Sequence, residues 1–139
     1  MSVGPATELK LEGAFGLTGT LTGVGSVTAG GLVCPGADGS AFTGTFTLME
    51  STVIEAEGPA DAIRPLQLGG RLILPSVAAV DFGPDPDGGR RVLARAAEIV
   101  PPDGGFANWR DPKGAEIKVR VKNGELRCSP KTGVVIVIR

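Results

Sequence analysis

The chain has 139 residues, a formal net charge of −1, 42% hydrophobic and 21% charged residues, and no His. These ordinary values predict one globular domain over residues 1–139 and exclude a disordered chain. The sequence has no basic footprint for nucleic acid, no apolar run long enough to span a bilayer and no signal-like start. We therefore expect a cytoplasmic protein that binds neither nucleic acid nor membranes.

Glycine, present at 22 positions, divides the chain into short predicted strands. Leucine alternates with charged residues over Glu8–Phe15, which predicts a half-buried strand. Threonine, leucine and valine over residues 17–28 are interrupted by glycines, so a curved or bulged strand is expected there. Turn residues then lead to a long strand over residues 42–54.

The second half continues the pattern. Leucines of shared parity over residues 66–74 and an apolar run over residues 77–82 predict further strands. Residues 90–100 suit a short helix as well as an amphipathic strand, and the strand is preferred from its context. Alternation over residues 116–122 followed by Asn123-Gly124 predicts a hairpin with a type I′ turn.

These elements predict an all-β domain. A single small antiparallel β-barrel is preferred, because residues 134–138 are apolar throughout and closure would remove the sheet edge that they otherwise present. A β-sandwich is the alternative, and one short helix near residues 90–100 is the only helical element considered. No internal repeat of fixed period is evident.

The missing residue types exclude much of enzyme chemistry. Without His there is no Ser-His-Asp or Cys-His pair and no His-ligated metal, so the chain is neither a His-dependent hydrolase nor a metalloenzyme. Cys34 and Cys128 are too few for a four-thiolate zinc site. Two reduced, buried thiols are expected, and a disulfide between them is the alternative. No phosphate-binding loop or complete calcium loop is found. We predict no metal and no cofactor.

Carboxylates are the remaining candidates for proton transfer. Glu50 and Glu57 are the candidate catalytic residues, because an apolar pocket can raise the pKa of a carboxylate towards neutrality. An unbroken strand over residues 42–54 would place Glu50 on the core face, whereas a hairpin at residues 50–52 would expose it. The candidate ligand-binding residues are Phe46, Leu48, Trp109 and Arg110.

The last two of these follow a glycine-rich loop, where an indole beside a guanidinium could cap a cavity mouth. A core Trp beside surface charges is the alternative.

Cations also outnumber acids near the C-terminus, where Lys118, Arg120, Lys122 and Arg127 are neighbours in sequence. Such residues on alternating strands are typical of one solvated face, and a specific anion site is the alternative.

Two segments carry a family resemblance. Residues 39–46, GSAFTGTF, and residues 53–61, VIEAEGPAD, resemble the central strands of small barrel cyclases from bacterial polyketide pathways, within the allene-oxide-cyclase and dirigent-like barrels. The resemblance implies a cofactor-free barrel whose apolar lumen folds a flexible substrate, with catalysis by proximity and orientation. The chain departs from these cyclases in having fewer aromatic residues to present to a substrate.

Two functions are therefore considered. The first is binding of an apolar small molecule in a barrel lumen, with cofactor-independent cyclase or isomerase activity in biosynthesis as its enzymatic form. The alternative is a structural or assembly protein, such as a phage virion component, in which strands pair across subunits. A homodimer is one partner arrangement considered, and whether the chain is an enzyme is left open by its sequence.

Overall fold

The computed structural model describes residues 2–4, 8–15, 20–33, 38–56, 65–83 and 89–130. Within these ranges it contains strands and turns and no helix, so the all-β prediction is confirmed, and no segment there is a helix able to cross a membrane. The strands are β1 Ser2–Val3, β2 Glu8–Phe15, β3 Thr20–Gly23, β4 Ser26–Val33, β5 Asp38–Phe42, β6 Thr45–Glu55, β7 Leu66–Leu68, β8 Arg71–Ile73, β9 Val77–Asp81, β10 Arg91–Arg95, β11 Glu98–Val100, β12 Asn108–Arg110, β13 Ile117–Lys122 and β14 Glu125–Pro130.

Most neighbouring strands run parallel, because each lies beside its counterpart from the previous pass of the chain. We name each pass a rung: β1 and β2 form rung 1, β3 and β4 rung 2, β5 and β6 rung 3, β7 to β9 rung 4, and β10 to β12 rung 5. The first strands of the rungs form one sheet, and the remaining strands form the second. Strand β6 pairs through its first half with β8 and through its second half with β9.

The rungs differ in length, and this hides them in the sequence. Along the second sheet, successive register partners are Glu8, Ser26, Thr45, Arg71 and Glu98. The spacing is therefore 18 or 19 residues between the first rungs and 26 or 27 between the last. The described strands form a solenoid-like stack without the fixed sequence period that usually reveals one.

These pairings correct the predicted architecture. The sequence predicts an antiparallel barrel, whereas antiparallel pairing among the strands above is confined to β10–β14 and β13–β14, and the strands form two sheets. The physical reason is that the turns at Gly25, Gly44 and Gly70 lead the chain from one sheet to the other instead of folding it back as hairpins. The helix considered near residues 90–100 is replaced by β10 and β11, each of which pairs with rung 4. Residues 134–138 lie outside the described residues.

Apolar side chains fill the space between the sheets. Side chains in register stack from rung to rung, as Val27, Phe46 and Leu72 do. The largest fully buried apolar side chains are Trp109, Phe42, Phe46, Leu21, Leu48, Ile54, Leu66, Leu72, Leu93 and Leu126. Burial of each such residue contributes about 1.5–3 kcal/mol, so this stack supplies the main favourable term in folding.

Backbone hydrogen bonds continue from rung to rung at one corner of the stack. There, the carbonyl of each turn glycine accepts a bond from the N–H of the next rung: Thr45 to Gly25 at 3.1 Å, Arg71 to Gly44 at 3.0 Å, and Glu98 to Gly70 at 3.2 Å. A Cβ on Gly44 would lie 1.9 Å from the Gly25 oxygen, and one on Gly70 would lie 2.2 Å from the Gly44 oxygen. Only glycine allows the rungs to approach this closely.

The predicted hairpin is present and covers rung 5 in the first sheet. Asn123 and Gly124 have φ values of 53° and 74°, as the two central positions of a type I′ turn require. Strand β14 pairs antiparallel with β10, and the carbonyl of Gly124 accepts the N–H of Ala96 at 3.0 Å. The hairpin thus occupies the place of a further parallel strand.

The glycine corner gives a direct test of the stacking. We expect Gly44→Ala to destabilise the protein by about 2 kcal/mol or more, because the new methyl group would overlap backbone atoms that cannot move independently. Gly104→Ala is the matched control, since a Cβ there would meet nothing within 4 Å. Urea unfolding followed by circular dichroism measures both, and equal stability of the two variants would contradict this packing.

Candidate functional site

The corner between β8 and β9, which we name the Pro75–Val77 corner, gathers two of the residues singled out in the sequence. The Glu50 carboxylate accepts the hydroxyl of Ser76 at 2.7 Å and the N–H groups of Ser76 and Val77 at 3.1 and 3.2 Å. These bonds favour the charged carboxylate and lower the pKa of Glu50, with the Ser76 hydroxyl making the largest contribution. Glu50 therefore ties rung 3 to rung 4.

The sequence leaves two positions open for Glu50, and the structure shows the exposed one, although without the hairpin that was expected to accompany it. Strand β6 continues through this region, but Ser51 has a φ of 63° and the register with β4 shifts here. This irregularity turns Glu50 out of the core, and its side chain is exposed. A lowered pKa is the opposite of what a proton donor needs near neutral pH, although a catalytic role stays a prediction.

Trp109 holds the same corner from rung 5. Its indole Nε1 donates to the carbonyl of Pro75 at 2.9 Å, and its ring meets Phe106 edge-on at a centroid distance of 5.1 Å. The side chain is buried, as the core alternative required. Arg110 is exposed, and its Nη1 donates to the carbonyl of Gly114 at 3.3 Å.

The other candidates do not join this corner. Phe46 and Leu48 are buried in the stacked core and line neither cavity described below. Glu57 lies outside the described residues, as does Cys34. The structure thus brings Glu50 and Trp109 to one corner as supports of the fold, and it separates them from the two proposed ligand contacts on β6.

A cavity of about 460 Å³ lies beside the β13–β14 hairpin, and we name it the hairpin cavity. Its walls come from the residue before β10, from the loop before β12 and from both hairpin strands. The lining residues are Arg90, Phe106, Ile117, Lys118, Val119, Arg120, Arg127, Cys128 and Ser129. Three of the four cations among them belong to the C-terminal group noted in the sequence, and Arg90 is added by the fold because it precedes β10.

Cys128 forms part of this lining as a free, buried thiol. Burial raises its pKa to about 12, which the nearby charge of Arg91 opposes only in part. The thiol is therefore neutral at physiological pH and a poor nucleophile. The chemistry available in the hairpin cavity is binding through charge and apolar contact.

A second cavity, of about 490 Å³, follows the glycine corner. Its residues are mostly turn backbone, together with the exposed pair of Arg71 and Glu98, whose Nε and Oε1 atoms are 3.1 Å apart. The two charges satisfy each other, so little remains to recognise a ligand.

The role of Glu50 can be tested through pH. Because its pKa is lowered on folding, its bonds add stability above the ordinary value of 4.5, and this contribution is lost as the pH falls through the lower folded-state pKa. Glu50→Gln should lower the melting temperature at pH 7, and the difference from wild type should vanish in acid. Glu55→Gln, on an exposed position of the same strand, is the control. Equal changes in melting temperature for both substitutions would contradict the role of Glu50 in tying rung 3 to rung 4.

Burial of Cys128 also has a measurable consequence. Iodoacetamide at pH 8 should leave Cys128 unmodified in the folded protein and alkylate it fully in urea, because the native thiol is both neutral and shielded. Peptide mass spectrometry assigns the modified residue and separates it from Cys34. Rapid alkylation of Cys128 in the native state would show that this wall of the cavity is open to reagent.

Comparison with known proteins gives no assignment. No protein-family model, curated protein or solved structure matches the chain. The likeness to cyclase barrels stays a prediction, and the function has to be argued from the arrangement of the residues themselves.

Proposed function

We propose that the protein is a structural component that pairs edge to edge with a second copy of itself through β2. The observation that carries this proposal is that β2, eight residues long, pairs with β4 on one side and with no other described strand. With respect to the described strands, an edge of this length offers a row of unpaired N–H and C=O groups, which is the usual template for strand addition between chains.

The opposite end of the stack is less suited to pairing. In the first sheet the β13–β14 hairpin covers rung 5, and its outer strand presents Lys118, Arg120 and Lys122 as exposed residues. Cations on an edge strand oppose pairing with another chain. In the second sheet, rung 5 ends in β11 and β12, which have only three residues each.

These differences between the two ends favour a closed pair over a growing polymer. Head-to-tail stacking would require rung 1 of one copy to fit on the covered end of another, whereas two β2 edges can pair antiparallel about a two-fold axis. A phage virion component is one setting for such a building block.

Small-molecule binding in a barrel lumen, with or without cyclase or isomerase activity, stays a prediction with less support. The space between the described strands is filled by side chains such as Phe42, Phe46 and Leu66, each fully buried. A guest of drug-like size needs a cavity of about 300 Å³ or more, and the two cavities of this volume described above lie at the hairpin and at the glycine corner.

Proline substitutions along β2 test the pairing. Successive N–H groups of a strand point to opposite sides, so Leu9→Pro, Lys10→Pro and Leu11→Pro remove donors alternately from the outer edge and from the ladder with β4. Wild type should have twice the chain mass by light scattering. A proline that removes a donor from the outer edge should give a stable monomer. A proline that removes a donor from the ladder with β4 should lower the melting temperature.

Val119→Pro and Arg120→Pro in β13 form the matched control at the other end of the stack. At least one of these two should keep both the fold and the doubled mass, because β13 is an edge that the proposed pair does not use. A wild-type monomer at the highest concentration reached, or a mass that no β2 proline changes, would overturn the proposal.

A further inference from the structure

We propose that the hairpin cavity binds a small molecule that carries an oxyanion, either phosphate or carboxylate, on an apolar group. Its size lies within the range of small-molecule sites, and it combines cations with aromatic and aliphatic walls. This site is independent of the pairing proposed for β2, which lies at the other end of the stack.

Positive charge is concentrated here beyond what the neighbouring acids balance. Arg120 and Arg127 are direct cross-strand partners, an arrangement of like charges that is normally unfavourable. The acid beside them is Glu125, and it is shared: its two oxygens lie 2.7 Å from Arg127 Nη2 and 2.8 Å from Arg95 Nε. One carboxylate thus serves two guanidinium groups, and Arg120 gains no share of it.

Three cations remain available to a ligand. Within the described part of the chain, Arg90, Lys118 and Arg120 take part in no ion pair, and all three are exposed where they line the cavity. Guanidinium groups bind planar or tetrahedral oxyanions through paired N–H donors, which makes them the best side chains for this task. Ser129, the register partner of Lys118, adds a hydroxyl donor to the lining.

The apolar walls indicate that the anion is not inorganic. Phe106 lines the cavity beside Ile117 and Val119, and its ring is fixed by the edge-on contact with the buried Trp109. An aromatic or aliphatic group on the ligand would bury area against these side chains. A bare phosphate would leave this surface wet, so the combined lining favours an organic anion.

Calorimetric titration with four probes tests the site: phenyl phosphate, benzoate, inorganic phosphate and benzyl alcohol. Phenyl phosphate or benzoate should bind, and which of the two is tighter identifies the anion. Inorganic phosphate should bind more weakly, and benzyl alcohol should not bind. Arg120→Gln and Lys118→Gln should each weaken the tighter probe by about tenfold, as expected for a lost charge-assisted bond.

Lys113→Gln is the matched control, because it removes one exposed positive charge from a turn that does not line the cavity. Its affinity for the probe should equal that of wild type. Phe106→Leu should reduce the preference for phenyl phosphate over inorganic phosphate. The proposal is overturned if neither organic anion binds, or if Lys113→Gln weakens binding as much as Arg120→Gln.

Light scattering on the same samples keeps this test separate from the pairing of β2. A monomer that binds phenyl phosphate or benzoate would refute the proposed function and support the site. A dimer that binds neither probe would support the proposed function and refute the site.

Discussion

The close approach of consecutive rungs at their glycine corner is the constraint on which the rest of the structure depends. The carbonyl oxygens of Gly25, Gly44 and Gly70 each accept an N–H from the next rung, and the same oxygens of Gly25 and Gly44 occupy the space that a side chain on the following glycine would need. The ladder of backbone bonds therefore continues round this corner without a break. Because the rungs stay in register there, the side chains on both sheets can stack in columns such as Val27, Phe46 and Leu72.

The remaining irregularities serve the same register. The bend of β6 at Ser51 allows one strand to pair with both β8 and β9, and the exposed carboxylate of Glu50 then binds the backbone where those two strands meet. Trp109 binds the same corner through the carbonyl of Pro75. The backbone N–H groups of Ser76 and Val77 and the carbonyl of Pro75 thus find partners on the rungs to either side.

The sequence predicts where the strands of this fold lie better than it predicts which strands pair with each other. Alternation locates the strand residues, but the strands predicted over residues 17–28, 42–54 and 66–74 are each divided at a glycine turn into strands of different sheets. Asn123-Gly124 identifies the hairpin because few other residue pairs adopt two positive φ values. Period-two patterns indicate which residues of a strand face the core, but they do not indicate which other strand pairs with it. The glycines at these turns were placed inside predicted strands, as bends or bulges, and the unequal rungs conceal the repeat, so the sequence does not predict parallel stacking.

The same limit applies to the candidate sites. Parity along an unbroken β6 would place Glu50 inward, but the side chain is exposed beside Ser51, whose positive φ cannot be predicted from the pattern of side chains. The cations near the C-terminus were visible in the sequence, but Arg90 and Phe106 join them only through the fold.

The placement of chemistry in the molecule follows from its architecture. In a stack of rungs, charged side chains are costly in the packed interior, and the outer faces of the sheets repeat from rung to rung without a concave surface. Departures from the repeat are where a distinct surface can arise, and the open edge of β2 and the antiparallel hairpin are two of these in the described chain. The β2 edge belongs to rung 1, whereas the hairpin lies against rung 5 at the other end of the stack. A pair joined through β2 therefore leaves both hairpin cavities away from the interface and free for ligand. Self-association and ligand binding can therefore coexist without competing for the same residues.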